Sequence, residues 1–167
     1  MQIVAINGST RAPNNSGVMV HALLRGLSYK QIQLADYQVN EIIDQRHEKG
    51  PWQSANDDYP QLIGQLTAAD WLIFATPVYW YGVSGLLKTF MDRWSESLAT
   101  DEAFKSKLAA KRVILLIAGS DEPKRKAKPI ISEFNYVCDF LDWQLVAKDT
   151  GAVTRLGELN QRLQTLN

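Results

Sequence analysis

The sequence predicts an α/β fold: a single-domain, five-stranded parallel sheet in the order 2-1-3-4-5, with helices on both faces. Three observations predict it. Three short apolar runs, Ile3-Val4-Ala5-Ile6, Trp71-Leu72-Ile73-Phe74-Ala75 and Val113-Ile114-Leu115-Leu116-Ile117-Ala118, do not alternate, which is the pattern of strands buried on both faces. Each run stops at a turn signal: Asn/Gly, Thr/Pro or Gly/Ser. Stretches with helical spacing separate the runs, so the chain reads β-α-β-α-β-α-β-α-β-α with right-handed crossovers.

Each element has its own warrant. After the first strand, Val18, Val20, Leu23, Leu24 and Leu27 make one helical face. Gln31-Ile32-Gln33-Leu34 alternates polar and apolar, as a half-exposed edge strand does. Tyr59, Leu62, Ile63 and Leu66 form a second helix, opened by Asp57-Asp58, whose negative charge suits a helix N-terminus. The middle strand at Trp71 is followed by Leu86, Leu87, Phe90, Met91 and Trp94 at helical spacing. The strand at Val113 is followed by Ile130, Ile131, Phe134, Val137, Cys138 and Leu141. Trp143-Gln144-Leu145-Val146-Ala147 alternates loosely as the second edge strand, and Leu156, Leu159, Leu163 and Leu166 close the chain as a helix. Three central strands between two edge-like ones match the flavodoxin-like order. Two connections are long: Asp36 to Asn56 carries little periodicity and reads as functional or interfacial, and Ser95 to Lys111 reads as partly helical. With no repeat and no low-complexity tract, residues 1–167 read as one domain.

Composition narrows the function. The 167 residues carry 18 Lys+Arg against 18 Asp+Glu, with 46% apolar and 22% charged residues, which excludes intrinsic disorder. Zero net charge lacks the electrostatic footprint of a nucleic-acid binder and counts against an acidic electron carrier that docks on basic partners. Cys138 is the single cysteine, so no internal disulfide, zinc or iron–sulfur site is expected. The opening MQIVAINGS has no basic segment followed by a long apolar stretch. The longest uncharged segment, Trp71 to Leu87, has 17 residues and is broken by Pro77, Gly82 and Gly85, short of the about 20 a membrane span needs. The expectation is a cytoplasmic protein with no membrane and no nucleic-acid partner.

Two loops carry the chemistry. Asn7-Gly8-Ser9-Thr10-Arg11-Ala12-Pro13-Asn14-Asn15-Ser16-Gly17 joins the first strand to the first helix. Ser9, Thr10, Asn15 and Ser16 offer donors, the helix N-terminus adds free N–H groups, and Arg11 adds a full charge suited to phosphate. The loop lacks the GK[ST] of a Walker loop, the GxGxxG fingerprint and any cysteine. It also reads as a polar turn with Ser16 as the helix N-cap. Thr76-Pro77-Val78-Tyr79-Trp80-Tyr81-Gly82-Val83-Ser84-Gly85 leaves the middle strand and sets three consecutive aromatics in a loop. A planar heteroaromatic ligand explains them, as does a dimer patch or a loop folded onto the core. In the order 2-1-3-4-5 the winding reverses between strands 1 and 3, so both loops border one crevice. A ligand with phosphate at one end and a flat ring at the other fits it, and flavin mononucleotide (FMN) has that shape.

NGSTR…NS together with ATPVYWYGVSGLLKTFMDRW resembles the NAD(P)H-dependent FMN reductase group of flavodoxin-like proteins. The more specific signal is P-x-Y followed by S-G-x-L-K-x-F-x-D-R, matched by Pro77, Tyr79, Ser84, Gly85, Leu87, Lys88, Phe90, Asp92 and Arg93. Correspondence covers roughly residues 1–95 and weakens beyond. The resemblance implies that Ser9, Arg11, Asn15, Ser16 and Gly17 hold the FMN phosphate. It further implies that Pro77, Val78, Tyr79, Trp80 and Tyr81 hold the isoalloxazine, with Gly119 near its far edge. It implies hydride transfer from NAD(P)H to FMN and on to a quinone, flavin, nitroaromatic or azo acceptor by a ping-pong scheme. The cofactor then does the redox chemistry, so no catalytic side chain is expected. Backbone N–H groups around Val78–Trp80 are the expected partners for negative charge on the reduced ring. Relatives called iron–sulfur flavoproteins carry a cysteine cluster where Asp44–Trp52 has none, so no cluster is expected. The competing reading is a flavin-binding electron carrier or redox-sensing regulatory subunit without NAD(P)H turnover.

The remaining conspicuous residues read as structural. Asp92 and Arg93 cap, pair or sit at a subunit contact, and His21 belongs to the first helix. His47 lies in the long loop, and Lys124-Arg125-Lys126-Ala127-Lys128 starts a solvated helix or meets the extra phosphate of NADPH. Cys138 is an inert core thiol. Trp52 covers the flavin or builds a dimer. The aromatic loop and the long connection predict a homo-oligomer, a dimer or a tetramer.

Overall fold

The computed structural model describes residues 1–150 and 153–165. Its five strands are β1 (Ile3–Asn7), β2 (Lys30–Gln33), β3 (Trp71–Pro77), β4 (Arg112–Ala118) and β5 (Gln144–Asp149), paired in parallel in the order β2-β1-β3-β4-β5. The helices are α1 (Asn15–Leu23), α2 (Tyr59–Ala68), α3 (Gly85–Asp92), α4 (Trp94–Thr100), α5 (Phe104–Leu108), α6 (Pro123–Lys126), α7 (Lys128–Leu141) and α8 (Val153–Thr165). None is long and apolar enough to cross a membrane.

The non-alternating runs are explained by a core on each face. Ile3, Ala5, Ile73 and Leu116 face α1 and α8, while Val4, Ile6, Phe74 and Leu115 belong to the cluster that includes α2, α3 and α7. Phe74 centres an aromatic group, 5.2 Å from Phe134 and 5.9 Å from Trp143 between ring centroids. Register puts Asn7 beside both Gln33 and Ala75, and Pro77 beside Ala118. The carboxyl ends of β2, β1, β3 and β4 therefore form one rim, where the loops must gather.

Several expectations change. Ser16 is not the cap of α1: the Asn14 side chain accepts the Gly17 N–H at 2.6 Å. The buried face of α1 is Ser16, Met19, Val20 and Leu23, at i, i+3, i+4 and i+7, which rotates Val18 to 61% exposure. Trp94 opens α4 instead of closing α3. Trp143 precedes β5 and is buried, its Nε1 donating to Leu108 O at 2.7 Å. The Ser95–Lys111 connection is helical in part, as α4 and α5. The Asp36–Asn56 connection holds only the end of a 3-10 turn, Leu34–Asp36.

Candidate active site

The first loop is shaped by side-chain amides. Asn7, fully buried, accepts Ser9 N–H through Oδ1 at 3.0 Å and donates through Nδ2 to Asn14 Oδ1 at 3.1 Å. Asn14 Nδ2 donates to Arg11 O at 2.6 Å, and Gln33 Nε2 reaches from β2 to Ser9 O at 2.5 Å. With Asn14 capping Gly17, Asn15 and Ser16 N–H open the helix without an acceptor among the described residues, where anions bind. The Ser16 hydroxyl and the Arg11 guanidinium likewise have no partner among the described residues.

The second loop leaves β3 as a tight hairpin. Tyr79 N–H donates to Gly82 O at 3.1 Å and Gly82 N–H to Tyr79 O at 2.9 Å. Between them Trp80 and Tyr81 have φ of 50° and 66°, a turn that ordinarily selects Asn-Gly. Ser84 then caps α3, its Oγ accepting Leu87 N–H at 3.2 Å. The two loops are pressed together at Gly8. Its N–H donates to Ala75 O at 2.8 Å, and a Cβ there would sit 2.5 Å from Ser84 Oγ and 3.0 Å from Leu87 Cβ.

A crevice of about 150 Å³ opens between them. Ser9, Arg11, Asn15 and Ser16 line one side, Pro77, Val78 and Tyr79 the other, and Ala118, Gly119 and Ser120 the end of β4. Val78, Gly119 and Ser120 also border an adjoining hollow of about 260 Å³, which adds Trp80, Tyr81, Asp121 and Lys126. Thr10 and Gly17 line neither: Thr10 is exposed, and a Cβ on Gly17 would lie 3.1 Å from Asn14 Oδ1. The crevice itself has no carboxylate among its lining residues. In the hollow, Lys126 bonds Asp121 and holds its carboxyl below the ordinary value. The expectation for backbone N–H groups narrows to Trp80, because Val78 N–H is spent on Ala118 O at 2.9 Å and Tyr79 N–H on Gly82.

Other flagged residues lie elsewhere. Arg93, 1% exposed, pairs with Asp57 at 2.6 Å and Glu96 at 2.7 Å and lies 4.5 Å over the Tyr59 ring, the structural pairing expected of it. Asp92 pairs with Lys88 on α3. His21 and His47 are exposed. Lys126 and Arg125 pair with Asp121 and Glu122. Cys138 is buried, and burial pushes its thiol up to about 11. Trp52 borders a separate cavity of about 430 Å³ with Ile43 and Arg93, not the crevice. Sequence reasoning missed Gln33, Ser120 and Asp121 and named Lys126 only within the basic run; the strand ending in Asn was the one available sign of the amide network.

Comparison with known proteins gives the family and the fold. The profile of the NADPH-dependent FMN reductase family matches residues 1–148. A Bacillus subtilis protein provisionally named as an NAD(P)H-dependent FMN-containing oxidoreductase, YwqN, is 34% identical over 169 aligned positions, covering 100% of this chain and 93% of that protein. The solved structure of the Trp repressor binding protein from Bacillus subtilis superposes with a TM-score of 0.76 at 28% identity, covering 95% of this chain and 97% of that one. An FMN-dependent NADH-azoreductase from Bacillus anthracis, solved in complex with FMN, shares the fold with a TM-score of 0.66 at 14% identity, covering 99% of each chain. Parallel order, crevice and family profile converge: the chain belongs to the NADPH-dependent FMN reductase family, enzymes that work with FMN and a reduced nicotinamide.

Proposed function

We propose that this chain holds FMN non-covalently in the crevice between the β1–α1 and β3–α3 loops and uses NAD(P)H as co-substrate. When bound, FMN would supply the hydride chemistry of a ping-pong scheme between NAD(P)H and a quinone, flavin or other small aromatic acceptor. The observation that carries this reading is that both loops line a single crevice. The donor set fits the cofactor. At one end Arg11, the free Ser16 hydroxyl and the first N–H groups of α1 suit a phosphate dianion, with no carboxylate to repel it. At the other, Pro77, Val78, Tyr79 and Gly119 line the crevice, an apolar and aromatic wall suited to a flat ring.

The chain's own residues divide the work. Ser9, Arg11, Asn15 and Ser16 bind the phosphate, Thr10 stands at the loop's outer edge, and Gly17 lets Asn14 cap the helix. Pro77, Val78, Tyr79, Trp80, Tyr81 and Gly119 hold the ring, and Trp80 N–H faces no protein acceptor among the described residues, so it is free to stabilise charge on the ring. The exposed Tyr79, Trp80 and Tyr81 support a homo-oligomer, a dimer or tetramer, measurable by light scattering. Residues 1–167 act as one FMN-binding unit in a cytoplasmic setting.

The visible spectrum of the purified protein tests the reading first: flavin bands stoichiometric with chain are expected. Oxidation of NADH or NADPH in the presence of FMN and a quinone then separates the enzyme from a flavin-binding carrier or sensor, which leaves the nicotinamide untouched. Arg11→Ala and Ser16→Ala should each weaken FMN binding about tenfold, as loss of a charge-assisted or buried hydrogen bond does. Unchanged affinity in both variants contradicts the phosphate placement.

A further inference from the structure

Ser9 is gripped from both sides by amides of two adjacent strands. Asn7 and Gln33 are register partners at the carboxyl ends of β1 and β2. Asn7 Oδ1 accepts the Ser9 N–H at 3.0 Å, and Gln33 Nε2 donates to the Ser9 carbonyl at 2.5 Å. Together they do for one loop residue what a strand neighbour does for a ladder residue: they fix the direction of both its backbone dipoles. A peptide is planar and trans, so a carbonyl held towards β2 turns the next N–H, that of Thr10, the opposite way. Thr10 N–H has no acceptor among the described residues. Asn14 Nδ2 treats the Arg11 carbonyl in the same manner at 2.6 Å. Without these amides either peptide could rotate and bring a carbonyl oxygen, a partial negative charge, to the mouth of an anion site.

We propose that Gln33 is a positioning residue for the phosphate end of the crevice: it holds the carbonyl of Ser9, which lines the crevice, towards β2, so that the loop turns no carbonyl oxygen to a phosphate there. Gln33 does not line the crevice and acts through Ser9. The inference rests on the placement of the phosphate in the function proposed above. It makes FMN-over-riboflavin discrimination depend on an edge-strand residue, because riboflavin has the same ring and no phosphate.

The test is titration of the full chain with FMN and with riboflavin, followed by quenching of flavin fluorescence. Wild type is expected to bind FMN the more tightly. Gln33→Met, of similar length without the donor, should weaken FMN about tenfold and leave riboflavin within about twofold. Gln31→Met, an exposed position on the same strand, should change neither. Equal weakening of both flavins by Gln33→Met, or no weakening of FMN, overturns the positioning role while leaving the crevice reading intact. A wild type that binds riboflavin as tightly as FMN overturns the phosphate placement, and the inference with it.

Discussion

Arg93 shows how strongly a single residue can bind distant parts of the chain. Its guanidinium joins the end of α3 to Asn40 O within the long connection, to Asp57 just after it, and to Glu96 on α4. Burial raises the Asp57 carboxyl, yet bonds from Asn40 N–H, Arg93 and Tyr59 N–H together hold it below its ordinary value. A depressed folded value contributes stability above the unfolded value of about 4 that is lost as pH falls through the folded one. Arg93→Met removes the ion-pair partner of two buried carboxylates, Asp57 and Glu96, and should cost about 3–5 kcal/mol at pH 7. Asp57, no longer held by the guanidinium, then gains its proton more readily in the fold, so the gap to wild type should narrow on acidification below about pH 5. Urea unfolding of both proteins at pH 7 and pH 4 measures it, and an equal gap at both contradicts the network. Ser16 shows the limit of reading such roles from sequence: Asn14 and Ser16 are both good caps, and only the fold decides that Asn14 caps and Ser16 is left for the crevice.

At the scale of elements, the two loops depend on each other through Gly8 and on local strain at Trp80. Gly8→Ala places a methyl 2.5 Å from the Ser84 hydroxyl that caps α3. It should cost about 1–3 kcal/mol and weaken FMN binding, since the loops must part to accept it. Thermal unfolding and FMN titration check this; an undisturbed variant means the loops have slack. Trp80, 96% exposed in the left-handed region, is unfavourable where it stands. Trp80→Gly should stabilise the fold by about 1 kcal/mol while weakening flavin binding. A drop in stability would mean that the indole has packing not visible in the isolated chain. These two positions differ in legibility. The aromatic run announced itself because loops seldom spend three aromatics, whereas nothing in sequence shows which Cβ the glycine avoids.

For the molecule as a whole, the sheet was legible because burial on both faces leaves a composition signature that survives without neighbours. The order 2-1-3-4-5 followed from which strands alternate and which do not, and it brought the two chemical loops to one rim. What stayed hidden is long-range. Gln33 reaches Ser9 across 24 positions and Arg93 reaches Asn40 across 53, and no local periodicity encodes either bond. On the expected face of α1, Val20, Leu23 and Leu24 are buried and Val18 alone turns out to solvent in favour of Met19, one position and about 100° of helix away, both being apolar. The long connection also frames a cavity of about 430 Å³, larger than the crevice, at Trp52 and Ile43. The protein crystallised with FMN decides between the two places. Density is expected with the phosphate against Ser16 and Arg11 and the ring against Val78–Trp80; flavin lodged beside Trp52, or spanning neither loop, would contradict the crevice as the seat of the chemistry.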